Sequence, residues 1–550
     1  MIIQSIHFRK ILVLLFILPV LVFADAKSEL IAFWQSVKAE NQLTDQTAHC
    51  GFIDQMHLRE LIQNSSPEIK ALAKASKLFE RPDRQDSVLS PYGHFLMCFD
   101  STGVHAVPQE DAENNGIPDY IDSAGVYLEN AWDVEINQLG FLPPPGNGGN
   151  PVEVYKVYFT DFATDYGQTY YGLTTPETII SYTGVTEIAY TSFFELHNNY
   201  ESSAFYSTGL AGLKVTAAHE FNHAIQLGYN ADYFNNIYFM EMTSTWLEDY
   251  VYDDVNDYVF YLNSFFRYLF TQKNRQYPAS ISFTSADDLD PYANCLYNHM
   301  LEKQYGPEII VDIWGKIIQH SALYAINEEL ESRNSSFAES QNQYAGWLYF
   351  TGSRSIPDTY FPEGSSYPEL TPNTGMEALD LGLNSLTVRL IELLPDFDGL
   401  AKAKISSLEE GKFSHIINHQ HLTSPIDFGG NDIITLSNND SVIVVLSNPG
   451  NSSIQDLQYS VERDKIHSGP IPVIAKKRSS QIEFTNMPVN GVIYIYNILG
   501  QKIITLRNGS ENKIQWNLKD HSDRYIASGA YIYYVKAVNY EYAGKLTVLR

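Results

Sequence analysis

The spacing of apolar positions changes character three times along this chain of 550 residues. It begins with ILVLLFILPVLVF, a run without polar breaks that follows Arg9 and Lys10. At about 13 residues this run is shorter than the ~20 that a membrane-spanning helix needs. Val22 and Ala24 stand at the positions a signal peptidase reads, so residues 1–24 are expected to be a secretory signal peptide, cut after Ala24. From 25 to 88, segments such as KSELIAFWQSVKAE and PEIKALAKASKLFE carry the period of amphipathic helices. The polar stretch RPDRQDSVLSPYG, with two prolines, marks a boundary there. Between 89 and 354 the two periods mix. HFLMCFD and VEVYKVYFTDF read as strands, EIIVDIWGKIIQH reads as a helix, and LPPPGNGGNP is a loop by composition. Beyond GSRSIPDTYFPEGSSYPELTPNTG the helical period fades. DIITLSNNDSVIVVLSN and SQIEFTNMPVNGVIYIYNILGQKIITL then predict β-sandwiches over 355–470 and 471–550. The expected fold class is therefore multidomain: a helical N-terminal segment, an α+β domain and two β-sandwich domains.

Composition narrows the partners. With 44% hydrophobic residues the chain has ample material for packed domains. A formal charge of −29 argues against nucleic acid or an anionic membrane surface. No later run is long and apolar enough to suggest a transmembrane segment in the mature chain. The 38 tyrosines, many in Tyr-Tyr or Tyr-x-Tyr pairs, suit strand-rich architecture. The three cysteines are Cys50, Cys98 and Cys295. In an oxidising compartment Cys50 and Cys98 are expected to bridge, leaving Cys295 odd. The alternative, a Cys50 thiolate blocking a metal in a latent precursor, has no surrounding motif to support it.

One segment breaks the hydrophobic logic. In KVTAAHEFNHAIQLGY the residues Val215, Ala217, Ala218, Phe221, Ala224, Ile225 and Leu227 predict a helix enclosed by protein. Yet His219, Glu220 and His223 share it, and buried polar groups are costly unless partnered. The order is H-E-x-x-H, which arises by chance roughly 0.02 times in a chain of this composition. Residues i and i+4 share a helix face, so both imidazoles can reach one zinc ion, with Glu220 leaning toward its open position. A hydrolytic zinc site needs a third protein ligand. The metzincin continuation would place Gly at 226 and His or Asp at 229, whereas the chain has Gln226 and Tyr229. Downstream, YFMEMTSTWLEDYVYDD offers Glu241 on a second helix, with Glu248 as its rival. Glu248 and Asp249 are also candidates to orient a ligand histidine.

H-E-x-x-H, a short loop and a glutamate on a second helix together resemble the gluzincin metallopeptidases, the thermolysin-like clan. The resemblance implies a zincin-like catalytic domain over 89–354, with His219, His223 and Glu241 as zinc ligands and Glu220 as catalytic base. Where that clan has Asn before the ligand glutamate and Asp four residues after it, this chain has Met240 and Thr245. Residues 90–310 more closely resemble a group of exported metalloproteases of the clan, in which a PDY loop precedes the motif and a TW-x-E-D helix follows it. Such chemistry also needs a donor for the tetrahedral oxyanion. DPYANCLYNHMLEKQYG supplies Tyr292, Tyr297 and His299 as candidates.

A second cation loop is expected in DAENNGIPDYID. Asp111, Glu113, Asn115, the Ile117 carbonyl, Asp119 and Asp122 occupy calcium-loop positions 1, 3, 5, 7, 9 and 12, with Gly116 at the turn. Glu at the third position and Asp at the twelfth depart from that pattern. His415, His419 and His421 sit in strand-like surroundings with no acidic partner and read as surface.

The last 75 or so residues carry YNILGQKI, W-N, ASGAYIYYV and GKL-x-V in order. These elements resemble the sorting domain of the type IX secretion system, which implies that machinery as a partner. The location implied is outside a bacterial outer membrane, secreted or attached to the surface. The expected function is a secreted zinc endopeptidase acting on proteins or peptides. The alternative is a catalytically inactive zincin-like surface adhesin or binding protein, against which an intact Glu220 argues.

Overall fold

A computed structural model describes residues 29–35, 50–180, 189–230, 232–269, 281–286, 289–374, 382–393, 400–429, 434–437, 441–455, 457–463, 469–470, 481–508, 513–537 and 540–548. The expected signal peptide, residues 1–24, lies outside them. The chain is multidomain and mixes helices with several sheets. Two compact units divide it. The first takes in the chain up to Phe265 with Thr284–Ser336 and Ser366–Pro368, and the second the remainder. No helix among the described residues is long and apolar enough to cross a membrane.

In the first unit, helices α1 (Phe52–Gln63) and α2 (Pro67–Ser76) follow helical residues 29–35. Leu30, Trp34, Leu58, Ala73 and Leu78 join these pieces in one apolar cluster. A five-stranded sheet comes next, in the order β1 (Asp86–Leu89), β2 (Phe95–Phe99), β3 (Tyr155–Thr160), β5 (Ala189–His197), β4 (Gly172–Ile180). Strands β2, β3 and β5 run parallel, and β1 and β4 are antiparallel to their neighbours. Because Asp86 pairs with Phe99 and Leu89 with Leu96, the sheet starts before residue 89, and the boundary expected at 88 falls inside a strand. Sequence gave no warning of this, since β1 is largely exposed and lacks an apolar alternation.

Helix α3 (Asp119–Trp132) and helix α4 (Gly209–Tyr229) cover the sheet, with α4 against β5 and β4. Helix α5 (Tyr233–Val251) returns along α4 after a short connection. Later come α6 (Val259–Tyr268), the single turn Asp290–Ala293, α7 (Cys295–Tyr305), α8 (Glu308–Ile317) and α9 (Ala322–Ser332). Sheet and helices together enclose α4, which is why its sequence is apolar nearly all round. Phe221 anchors it: fully buried, its ring stacks on Trp132 at 5.5 Å and meets Phe95 edge-on at 5.2 Å. Phe221→Ala is expected to cost about 3–5 kcal/mol through the cavity it leaves. The check is a lower denaturant midpoint at unchanged m-value.

The second unit contains two pairs of sheets. Helix α10 (Phe337–Tyr349) packs on the sheet β10 (Ile426–Asp427), β9 (Lys412–Ile417), β12 (Val442–Asn448), β7 (Thr387–Leu393), β6 (Asn373–Thr374). It clusters with that sheet and not with the preceding helices, so the sandwich region recruits chain from before 355. Strands β11 (Ile434–Ser437), β8 (Leu400–Ser406) and β13 (Gln458–Arg463) form the companion sheet. The core holds Ile391, Leu393, Ile405, Phe413, Val444 and Leu446. The final pair comprises β14 (Gly469–Pro470), β15 (Ile482–Thr485) and β18 (Ile514–Trp516) against β17 (Lys502–Arg507), β16 (Val492–Asn497), β19 (Gly529–Ala537) and β20 (Tyr540–Val548). Phe484, Ile493, Ile495, Trp516, Tyr533 and Val535 fill its separate core.

Candidate metal centre

Helix α4 sets His219 and His223 one turn apart on the same face, and α5 brings Glu241 up to them. The register between the two helices is fixed by side chains. Gln226 Nε2 donates to the Met240 carbonyl at 2.9 Å and to Ser244 Oγ at 3.2 Å. Ser244 Oγ in turn donates to Asn222 Oδ1 at 3.1 Å, and Asn222 Nδ2 donates to Glu135 Oε2 at 3.2 Å. These buried polar contacts hold Glu241 opposite the histidine pair.

Three atoms converge. His219 Nε2 lies 3.1 Å from His223 Nε2, and Glu241 Oε2 lies 3.2 Å and 3.4 Å from them. A tetrahedral zinc ion at about 2.0–2.1 Å from each donor would hold them about 3.3 Å apart. The outer nitrogens are already committed. His219 Nδ1 is 2.6 Å from Glu248 Oε1, and His223 Nδ1 is 2.8 Å from Gln226 Oε1. With both Nδ1 atoms donating, two Nε2 lone pairs and a carboxylate oxygen face one another, and only a positive charge at the centre makes that arrangement favourable. Glu241 Oε1, fully buried, has no hydrogen-bond partner. The donor set therefore fits a divalent cation of the zinc type.

The electrostatics of the cluster are set by burial and by the facing charges. Burial opposes ionisation of Glu241, yet the imidazoles of His223 and His219 outweigh it and hold the carboxyl at about 2. Burial also opposes a charge on His219, but Glu241 and Glu248 overcome it and raise its pKa. Burial pushes Glu248 up to about 7 against the pull of His219. Burial likewise raises Glu220, with His223 and His219 pulling the other way.

Glu220 lies beside the cluster. Thr174 Oγ1 of β4 donates to its Oε2 at 2.7 Å, and the Cys50 thiol also hydrogen-bonds this carboxylate. Close approach of β4 to α4 makes this bond possible, and it depends on Gly172: a Cβ there would come within 2.5 Å of Glu220 Cγ and 2.7 Å of Thr216 Cγ2.

Of the three oxyanion candidates only Tyr292 reaches this place. Its ring stacks on His219 at 6.1 Å, and it lines the cavity beside the cluster together with Tyr171, Asp257 and Tyr261. Tyr297 is buried in α7 away from that cavity. His299 faces Asp249 and Glu302, each at 3.9 Å, in surroundings whose burial lowers its pKa to about 3. Glu248, the rival third ligand, sits on the far nitrogen of His219 instead. There its carboxylate is placed to orient the ring.

The expected Cys50–Cys98 bridge is not formed. Cys98 lies on β2 with Lys156, Arg81 and Arg84 around its thiol, whereas the Cys50 thiol lies among Glu220 and Glu241. Cys50, His219, His223 and Glu241 each offer a ligand atom within 4.8 Å of the others. Sequence reasoning missed Thr174 and Gln226 as well. Gln226 had a signal, because it follows His223 by three residues on the same helical face.

The loop at 111–122 closes on itself. Asp111 accepts the backbone N–H groups of Asn115 at 3.1 Å and Gly116 at 3.0 Å, and Asp119 accepts that of Ala112 at 3.0 Å. Asn115 Nδ2 donates to Asp122 Oδ2 at 2.9 Å, and Gly116 takes the positive φ, +83°, that the turn requires. Glu113 is exposed, and among the described residues no three acids of this loop converge as a ligand group. Ile117 donates its backbone N–H to Asn115 Oδ1 at 2.8 Å.

No family model matches the sequence, and no curated protein does. Among solved structures, PorZ, a bacterial surface component of the type IX secretion system of Porphyromonas gingivalis, is similar at 15% identity over 12% of this chain and 9% of PorZ, with a TM-score of 0.12. The adhesin domain of Epf from Streptococcus pyogenes gives 9% identity over 30% of this chain and 69% of that domain, TM-score 0.14. The β-glucuronidase of Ruminococcus gnavus gives 10% over 32% and 37%, TM-score 0.13. Likenesses at these scores do not establish a shared fold.

Proposed function

We propose that the chain is a zinc-dependent peptidase whose first unit is a zincin-like catalytic domain. The observation that carries the reading is the meeting of His219 Nε2, His223 Nε2 and Glu241 Oε2 at 3.1–3.4 Å, with both outer imidazole nitrogens already donating. Zinc bound there would supply Lewis acidity that polarises a carbonyl and lowers the pKa of water. Glu220, aligned by Thr174, takes the proton of the attacking water and delivers it to the departing amine. Tyr292, packed on His219, is the donor assigned to the oxyanion. A purely structural zinc site has no use for an aligned, buried carboxylate such as Glu220, which favours the enzyme over the inactive adhesin. The test is metal analysis of the full chain together with casein digestion by chain cleaved between α2 and β1. One zinc per chain and hydrolysis that 1,10-phenanthroline abolishes and zinc restores are expected. A chain that binds no zinc sinks the reading.

Calcium is proposed for the 111–122 loop on its oxygen spacing alone. Calcium should then raise Tm by mass action, and Asp111→Ala should abolish that rise. An unchanged Tm in the wild type returns the loop to a hydrogen-bonded turn. Residues 471–550 are proposed as a type IX sorting domain, with export across the outer membrane as its consequence. Since Gly469–Pro470 pairs with β15, truncation belongs after Arg463. The truncated chain should accumulate in the periplasm with its metal centre intact. Normal release to the medium would leave the domain a structural or binding module.

A further inference from the structure

The cavity beside the metal centre is about 10 Å³, at the lower limit for a single water, and offers no room for a peptide. What fills the space is the chain's own N-terminal segment. Cys50 is 4% exposed and contributes the fourth donor of the group formed with His219, His223 and Glu241. Glu241, fully buried, faces both Nε2 atoms of that group through its Oε2. Phe52 follows, its ring stacked on His223 at 4.3 Å.

The same segment lies along β4, which is the last strand on its side of the sheet among the described residues. Gly51 donates its backbone N–H to the Gly172 carbonyl at 2.9 Å. Gln55 Nε2 donates to Thr175 Oγ1 at 2.6 Å, and Arg59 Nη2 to the Pro176 carbonyl at 2.7 Å. A strand edge next to a catalytic carboxylate is where an extended peptide would add by backbone hydrogen bonds. Here that edge is occupied from within.

Resting on the zinc-peptidase reading, we propose that this is the latent form of the enzyme, in which Cys50 Sγ is the fourth zinc ligand and residues 50–76 act as an internal inhibitor. On zinc binding the thiol releases its proton to solvent and the thiolate closes the position that Glu220 serves. Activation requires the segment to leave. Hydrolysis of one peptide bond in the stretch joining α2 to β1, largely exposed around residues 80–86, frees it, water and an external peptidase being the only co-reactants. Water then replaces sulfur.

The test uses the full chain, wild type and Cys50→Ala, loaded with cobalt for spectroscopy and with zinc for rates. The wild type should show a near-ultraviolet thiolate-to-cobalt charge-transfer band that Cys50→Ala lacks at equal cobalt content. Zinc-loaded Cys50→Ala should hydrolyse peptide roughly 10–100-fold faster than the wild type, as expected when the competent state is a small fraction of the molecules. Should Cys50→Ala fail to fold, tryptic cleavage of the wild type between α2 and β1 must both raise the rate and remove the band. Cobalt bound without a thiolate band overturns the inference and leaves the peptidase reading standing. A band present with rates unchanged by Cys50→Ala or by cleavage, in a chain that does hydrolyse peptide, overturns the inhibitory role. Failure of both proteins to bind metal overturns the peptidase reading, and this inference with it.

Discussion

Glu220→Gln is expected to retain zinc and lose peptide hydrolysis by about 10²–10⁴-fold, the usual worth of a positioned general base. The separation of roles is geometric. The proposed zinc ligands His219, His223 and Glu241 meet one another at 3.1–3.4 Å, while Glu220 is held by Thr174 of β4. Glutamine keeps an oxygen for the Thr174 hydroxyl, so alignment survives, and it removes an acid that burial already disfavours as a charge. The loss should therefore fall on kcat more than on KM. It is best read in chain already freed of its N-terminal segment, with zinc content measured alongside. Full activity with full zinc would show that Glu220 is not the base.

Much of this site was legible because it depends on local periodicity. Two histidines four residues apart on an apolar run declare their shared helix face, and polar atoms on an enclosed helix declare a need for partners. Glu241 was readable as a helix residue beyond a short loop. What separates it from Glu248 is the docking of α5 on α4 through Gln226, Met240 and Ser244, and pattern alone does not carry that register. Cys50 was less legible still. Its place beside Glu241 comes from the tertiary path that ties Gly51 to Gly172, so an oxidising compartment favoured a bridge to Cys98 over a Cys50 thiolate at a metal. The sheets show the same division. VIVVLSN reads as an unbroken apolar run because β12 is buried on both faces, and α10 packs on its sheet. The polar edge strand β1 carried no periodic signal, so its pairing with β2 could not be foreseen.

Glu241→Ala should weaken zinc binding more than any other single change at a carboxylate here, and Glu248→Ala should weaken it less. Losing Glu248 frees the Nδ1 side of His219, a loss of orientation that typically costs about 10–100-fold in metal affinity. Losing Glu241 removes the oxygen that faces both Nε2 atoms, together with the negative charge it brings into contact with both imidazoles. The two imidazole nitrogens, 3.1 Å apart, then lose the carboxylate they share, so the cation loses both a bond and part of its charge compensation. Competition with a chromophoric chelator, run on both variants at one pH, gives the ranking directly. Because His219 has a raised pKa in the metal-free chain, protons compete with zinc, and comparing variants at different pH would mix two effects. If Glu248→Ala abolishes binding while Glu241→Ala keeps it, then the third ligand is Glu248, and α5 must turn about its axis when metal enters.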